Sequence, residues 1–346
     1  MRDYQYAVFI ARVQPAHRAH IGVIERGLDK AENVIIVCGS DRSAPTVQNP
    51  WTVEEREQMI RRCFDYNTNK RIHVLAVRDQ PYNNTNWLAS IHQNVISVAQ
   101  SDSVALIGHK KDQTSFYLDM FPQWNFLEMG LMYEGISATE IRFQYFSEGK
   151  EPSKEWKDRH WHNHVHDGVR DFLEEFRKTD RFASLKSNFD HIQNYKAQWA
   201  GSPFPPVFVT TDAIVVKSGH VLLIRRKLHP GKGLVALPGG FLQQGLVLVE
   251  SMLNELKEET RIKVNKRDLR EHIRDNHVFD LPRRSGRGRT ITHGYYIKLP
   301  DGGILPEVRG ADDAAEAFWC PIGDLRHLER EFFEDHLDII EYFTNA

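Results

Sequence analysis

The sequence is short of cysteine, of net charge and of long apolar runs, and each shortage removes a class of explanation. Only three cysteines occur among 346 residues, Cys38, Cys63 and Cys320, with no C-x-x-C pair. Neither a disulfide framework nor a cysteine-based zinc site is therefore indicated, and the usage suits a reducing cytoplasm. The formal net charge of −2 provides no general basic field for nucleic acid or an anionic membrane. No run approaches the length of a membrane span, and the opening MRDYQYAVFIARV lacks the long apolar core and small-residue cleavage site of a signal peptide. Internal repeats and low-complexity tracts are missing too. Hydrophobic residues at 41% and charged residues at 27% are ordinary for a soluble globular protein, and the length is sufficient for two cores.

What is present divides at a change of pattern. In the first part β-forming apolar runs alternate with helix-period stretches: YAVFI, AHIGVIERGLDKA, NVIIVCGS, TVEEREQMIRRCF, RIHVLAV, NWLASIHQNVISVA and SVALIGH. This βαβαβαβ order predicts a parallel sheet with helices on both faces, in which ligands bind beyond the carboxyl ends of the strands. The loops after Ile10, Val37 and Ile107 fall at those ends. Thr52, with Glu55 three residues on, has the form of a capping box. From about residue 147 the chain turns polar and helical, and GSPFPP closes that stretch with a Gly/Pro-rich connector near Ser202–Pro206. Beyond it come VFVTTDAIVV, HVLLIRR, a glycine-rich turn, one strong helix and further strands such as HGYYIKL, the pattern of an α+β domain. The expected division is 1–202, with the stretch from about 147 as a helical extension of the first domain, and 203–346.

Two stretches in the first part carry phosphate-binding chemistry. In FIARVQPAHRAH a strand over Tyr6–Ile10 stops at Pro15, and a helix starting at about His17 puts His17 and His20 on one face. Both then sit near a helix amino terminus, whose free N–H groups favour anionic oxygens. In ISATEIR, Ser137 or Thr139 can cap a helix with Arg142 one turn beyond Thr139, so hydroxyls, N–H groups and a guanidinium converge. Taken singly, each stretch also reads as ordinary structure: an incidental histidine pair and a plain helix cap.

Together, RVQPAHRAH, GSDRSAPTVQNPWTVEERE, NNTNW and ISATEIR resemble the nucleotidyltransferase superfamily with its H-x-x-H and I-S-x-T-x-x-R motifs. Within it they are most similar to the archaeal-type nicotinamide mononucleotide adenylyltransferases, over residues 5 to about 145. The resemblance implies a Rossmann-like domain in which the phosphate of the mononucleotide attacks the α-phosphorus of ATP and pyrophosphate leaves. The nucleophile is already an anion, so catalysis is positioning and charge stabilisation, with Mg2+ on the triphosphate. By resemblance His17 and His20 contact the ATP phosphates, and Arg12 and Arg142 bind the anionic transition state. Ser137 and Thr139 would hydrogen-bond the β- and γ-phosphates, with Gly108 and His109 near adenine. Trp87 would stack on the nicotinamide ring and Asn86 read its carboxamide, although Trp87 reads equally as a half-buried packing residue. Two departures stand out: Ala11 and Val13 replace glycine and phenylalanine of the family's G-R-F-Q-P opening, and Ala19 replaces glycine of H-x-G-H. A methyl at Ala11 or Ala19 would crowd a phosphate-contacting backbone.

In the second part, LPGGFLQQGLVLVESMLNELKEETRI sets Glu255, Glu258 and Glu259 at i, i+3 and i+4 on one helical face. Clustered carboxylates make a seat for Mg2+ or Mn2+, hard cations that prefer oxygen; a solvated KEE run is the alternative. The stretch resembles the Nudix box, G-x5-E-x7-R-E-U-x-E-E-x-G-U, with Gly240 as its first glycine. Leu246 stands at the first glutamate of the box, Asn254 at its arginine and Arg261 at its second glycine. Losing Glu and Arg together avoids an orphan charge. The resemblance implies metal-assisted hydrolysis of a diphosphate, with Glu255, Glu259 and the carbonyl of Gly239 as metal ligands. Glu258 would support water or a further ion, and Arg287 and Arg289 would meet a second phosphate. Asp312 and Asp313 read either as metal or water holders or as helix-capping carboxylates. HWHNHVH alternates His160, His162, His164 and His166 as on a strand face, but helical or looped surroundings without cysteine speak against zinc.

The domain order is similar to that of a bifunctional bacterial family joining nicotinamide mononucleotide adenylyltransferase to ADP-ribose pyrophosphatase. It implies ATP, nicotinamide mononucleotide and ADP-ribose as ligands, Mg2+ as the metal with Mn2+ as an alternative at the second site, and a cytoplasmic setting. No nucleic acid and no membrane are expected, and a homo-oligomer is compatible with this. One rival keeps the first activity and makes the second domain a non-catalytic nucleotide sensor, favoured by Leu246 and Asn254 and opposed by the intact glutamates. Another changes the phosphate acceptor, and NNTNW is the segment that discriminates it.

Overall fold

The apolar run near the amino terminus extends as β1, Tyr4–Ala11, whose residues Ala7 to Ile10 are all buried because the strand lies in mid-sheet. The computed structural model describes residues 2–110, 113–130, 136–147 and 160–344. It divides into two units, Met1–Lys186 and Ser187–Ala346.

In the first unit β1 is followed by α1 (Arg18–Lys30), β2 (Ala31–Cys38), α2 (Val53–Arg61), the short α3 (Tyr66–Asn69), β3 (Ile72–Ala76), α4 (Asn84–Ala99), β4 (Val104–Gly108), β5 (Asn125–Glu128) and α5 (Ala138–Ser147). All the pairings are parallel, in the order β3-β2-β1-β4-β5. The strand order reverses at β1, so the crevice beyond the carboxyl ends of β1 and β4 is where this architecture binds ligands. The fifth strand was not expected from the sequence: Asn125–Glu128 has four residues and polar ends. Helix α1 buries Ile21, Ile24 and Leu28 on one face. It rides so close to the sheet that a Cβ on Gly27 would lie 2.7 Å from Ile107 Cδ1 and 3.0 Å from Val34 Cγ2. On the other face, Ile91 and Val95 of α4 pack with Val8, Ile35, Val37 and Leu106. The capping box at α2 is formed as expected: Glu55 N–H donates to Thr52 Oγ1 and Thr52 N–H to Glu55 Oε2.

Of the expected helical extension, residues 148–159 lie outside the described residues. After them α6 (Asp167–Phe176) and the start of α7 (Asp180–Ala197) bring Phe176 and Phe182 into an aromatic cluster with Trp51, Tyr145 and Phe146. The histidine run serves helix starts. His160 accepts from His162 N–H, His166 accepts from Gly168 N–H at the start of α6, and His162 contacts Glu174 at 3.3 Å.

The second unit contains β6 (Val207–Lys217), β7 (His220–Arg226), β8 (Val235–Ala236), β9 (Gly239–Phe241), α8 (Leu248–Thr260), α9 (Lys266–Glu271), β10 (Ile273–Phe279), β11 (Arg289–Lys298), β12 (Ala314–Pro321) and α10 (His336–Thr344). The sheet order is β10-β11-β6-β7-β12, with β9 on β6 and β8 on β7. Only β6 and β11 run parallel, so the sheet is mixed. Helix α8 packs Met252, Leu253 and Leu256 against Ala213, Val215, Leu222 and Ile297. Among the described residues no helix is long and apolar enough to cross a membrane.

Candidate active sites

The first candidate site begins where β1 ends. Arg12 and Val13 leave the strand, with Val13 at a φ of 53°, and His17 is the residue that caps α1. His17 N–H donates to His20 Nδ1 at 3.4 Å, and the two rings stack with centroids 3.7 Å apart. The expected sharing of one helix face is thus realised as a stacked pair. Burial pushes the His20 pKa down to about 4, a backbone hydrogen bond at Pro15 opposing it only in part, so this imidazole is neutral at pH 7. The second motif arrives from α5. Arg142 donates to the carbonyl of Gln14 and, at 3.3 Å, to the hydroxyl of Thr139. Ser137 stands just before α5, where its carbonyl accepts from Ile141 N–H. The loop after β1 and the ISATEIR segment are therefore directly joined.

That loop is fixed by residues the motifs did not point to. Gln14 exchanges two hydrogen bonds with the backbone of Trp51. Arg56 is fully buried and donates to the carbonyls of Arg12 at 2.6 Å and Gly39 at 2.7 Å, which ties the ends of β1 and β2 together. Asp79 pairs with Arg12 at 3.2 Å while accepting from the N–H and hydroxyl of Ser40. The available signal for Arg56 was a lone arginine on the buried face of an amphipathic helix.

At the end of β4, a Cβ on Gly108 would touch Leu118 Cδ2 at 3.1 Å, and His109 Nδ1 lies 2.7 Å from Glu128. Asn83 caps α4 by accepting from Asn86 N–H, leaving the Asn86 side chain exposed. Trp87 is half-buried, its ring edge-on to Tyr117, and Tyr117 in turn donates to the carbonyl of Ile10. It is thus partly a packing residue, on the alternative noted for it.

The second candidate site is built where β9 meets α8. Gly239 N–H donates to Glu259 Oε2 at 2.8 Å. A Cβ on Gly239 would lie 2.2 Å from the carbonyl of Thr211, and one on Gly240 would lie 2.7 Å from Glu255 Oε2. Gly239 is therefore required by close backbone approach, whereas a side chain at 240 would meet only the movable carboxylate of Glu255. Glu259 is buried, and that burial pushes its pKa up to about 8. Burial also raises Glu255, against the donor of Gln243 and together with the charges of Glu258, Asp312 and Asp313. Asp212, paired in register with Gly239 and accepting from the Thr292 hydroxyl, is pushed up to about 6 by burial. Asp212 was missed by motif reasoning, although a single acid inside VFVTTDAIVV was visible.

Carboxylates with raised proton affinity and hard oxygen donors fit a divalent cation. Among the described residues, no three His, Cys, Asp or Glu side chains form a ready metal seat. Glu255 and Glu259 would need the Gly239 carbonyl and water to complete one. Glu258 is exposed. Arg287 lies over the Phe241 ring at 4.9 Å, next to the glycines, whereas Arg289 is engaged with Asp280. Asp312 and Asp313 are exposed, and their carbonyls accept from Lys227.

Residues 8–144 match the cytidylyltransferase-like family and residues 207–343 the NUDIX domain family. A nicotinamide/nicotinic acid mononucleotide adenylyltransferase of Acinetobacter baylyi is 35% identical over 57% of this chain and 97% of its own length. An ADP-ribose pyrophosphatase of Methanocaldococcus jannaschii is 35% identical over 38% of this chain and 70% of its own. A crystal structure of a bifunctional NMN adenylyltransferase/ADP-ribose pyrophosphatase from Francisella tularensis, complexed with AMP and a manganese ion, superposes with a TM-score of 0.89 at 32% identity. It covers 99% of both chains.

Proposed function

The chain belongs through its first domain to the nicotinamide-nucleotide adenylyltransferases and through its second to the NUDIX ADP-ribose pyrophosphatases, and from that premise we propose two reactions in one protein. The first transfers the adenylyl group of ATP to nicotinamide mononucleotide, giving NAD and pyrophosphate. The second hydrolyses ADP-ribose to AMP and ribose 5-phosphate.

In the first reaction a phosphate oxygen of the mononucleotide bonds to the α-phosphorus of ATP, and the bond from that phosphorus to its bridging oxygen breaks. Neutral His20 and its stacked neighbour His17 act as hydrogen-bonding groups towards phosphate, since no proton need be taken from the nucleophile. Arg12 and Arg142 stabilise the charge, the first held by Asp79 and the second by Gln14. Ser137 and Thr139 bind the β- and γ-phosphates, Gly108 and His109 border adenine, and Asn86 and Trp87 meet the nicotinamide. In the second reaction Glu255, Glu259 and the carbonyl of Gly239 hold the metal. Glu258 orients water and Arg287 meets the diphosphate, while Arg289 fixes the strand edge beside it through Asp280. Mg2+, or Mn2+ at the second site, supplies neutralisation of phosphate charge and an acidified water. We place the functional boundary at 202/203 and both activities in the cytoplasm.

The observation that carries the first activity is the Arg142–Gln14 hydrogen bond, which unites two motifs 128 residues apart at the switch point of the sheet. The test is product analysis of the purified protein with ATP and nicotinamide mononucleotide, and separately with ADP-ribose. Saturable ADP-ribose binding without hydrolysis in Mg2+ or Mn2+ would make the second domain a sensor.

A further inference from the structure

Gln243 occupies none of the motif positions named above. It lies in the turn between β9 and α8, where its N–H donates to Ser251 Oγ at 3.1 Å. Its side-chain oxygen accepts from Asn254 Nδ2 at 3.1 Å, and its Nε2 donates to Glu255 Oε1 at 3.1 Å. Asn254 Oδ1 in turn accepts from Lys266 Nζ. The direction of this chain is set at both ends, because an ammonium can only donate and a carboxylate only accept. Each amide therefore has one orientation that satisfies both of its neighbours.

Resting on the metal-dependent hydrolase assigned above, we propose that the Gln243–Asn254 amide pair replaces the charged pair absent at positions 246 and 254. Gln243 is then a positioning residue that aims Glu255 at a divalent cation. Leu246 is turned outward, 36% exposed, and its N–H donates to the carbonyl of Gln243. The turn thus presents residue 243, not residue 246, to Asn254. Glu255 Oε1 is held by Gln243, and its Oε2 lies beside Gly240, 2.7 Å from where a Cβ there would stand. A neutral pair also does this without adding a charge next to the cation. Hydrogen-bond partners of a metal-bound carboxylate commonly set metal affinity.

The test uses the full-length, metal-free protein titrated with Mn2+, free ion being followed by electron paramagnetic resonance. Gln243→Ala is expected to weaken Mn2+ binding about tenfold, with NAD synthesis by the same molecule unchanged as evidence of folding. Gln243→Met, which keeps length and packing but has no donor, carries the same expectation should the alanine variant be unstable. A Gln243→Met protein that binds Mn2+ as tightly as the unaltered one overturns the assignment. Unaltered protein that binds Mn2+ through this chain but leaves ADP-ribose intact overturns the hydrolase instead.

Discussion

Replacing Glu259 with glutamine strikes the second site at its most buried acid. The residue is 3% exposed, and burial raises its carboxyl from 4.5 to about 8. The folded chain holds this proton more tightly than the unfolded one. Its contribution to stability is therefore complete below pH 4.5 and is lost as pH rises through about 8. At about 1.4 kcal/mol per tenfold change in proton affinity, the rise sets an upper bound of about 5 kcal/mol on ionising the folded, metal-free carboxyl, and solvent relaxation brings the expected cost to on the order of 2–4 kcal/mol. Asp212, raised by burial to about 6, adds in the same direction. Glutamine keeps an oxygen for Gly239 N–H and cannot ionise.

The assay is urea unfolding in EDTA from pH 5 to 8.5, the transition that responds to Mn2+ marking the second domain. The unaltered protein should lose stability across this range, and Glu259→Gln should lose only the smaller part due to Asp212 and the other raised carboxyls, Glu255 and Glu334. At pH 8.5 in EDTA the variant should be the more stable of the two. Saturating Mn2+ should reverse that order, because a ligand that binds only the folded state stabilises by mass action. Hydrolysis of ADP-ribose should fall at least about 100-fold, in line with removal of a metal ligand, while NAD synthesis continues. A flat stability profile for the unaltered protein in EDTA, or undiminished Mn2+ stabilisation of the variant, would refute the reasoning.

Other outcomes concern the first site. His20→Ala should lower NAD synthesis about 100-fold and leave ADP-ribose hydrolysis intact; near-normal turnover in the folded variant rejects its role. Because His20 titrates at about 4, it should contribute no inflection near pH 6.5 to kcat/KM for NAD synthesis, checked by comparing profiles of the unaltered and His20→Gln proteins from pH 5 to 8. Arg142→Lys should impair synthesis, since one ammonium cannot reproduce the planar fork that reaches both Gln14 and Thr139, and steady-state rates decide it. Arg56→Met should cost about 3 kcal/mol in urea unfolding of the first domain, because it leaves the Arg12 and Gly39 carbonyls without their donor. Acceptor choice should favour the amide mononucleotide over the acid, as Asn86 is neutral and YNNTNW contains no cation; equal kcat/KM for the two would refute this.

The sheet of the first domain was legible because β1, β2 and β4 carry continuous apolar runs buried on both faces, and the capping box at Thr52 because its two partners are local in sequence. β5 escaped because a four-residue edge strand needs no apolar run. The histidine pair was visible as an i,i+3 spacing, but its stacking and its neutrality depend on burial by other parts of the fold. Arg56 and Asp79 were illegible for the same reason. Their work is done through backbone carbonyls and N–H groups of loops far away in sequence, and no side-chain pattern encodes those partners. Arg289 is engaged by Asp280 in the fold, a partner that its residue type did not announce.

The departures at Leu246 and Asn254 show why a position-by-position comparison with a motif misjudges an altered site. Such a comparison counts two losses there. The fold requires only that the glutamate at 255 be held in one rotamer, and any donor delivered to its Oε1 meets that requirement. The turn between β9 and α8 delivers one from residue 243, three positions before the altered one, and Asn254 is the right length to complete the bridge. An arginine at the partly buried position 254 would have lacked its partner without the glutamate, so the two substitutions belong together. The neutral bridge then determines what should happen on partial reversal. Asn254→Arg alone should displace the Gln243 carboxamide and leave an unpaired cation beside Glu255, competing with metal for that carboxylate. Mn2+ affinity should fall in this single variant. A single Asn254→Arg variant that binds Mn2+ more tightly than the unaltered chain would show that the lost arginine was not replaced at all.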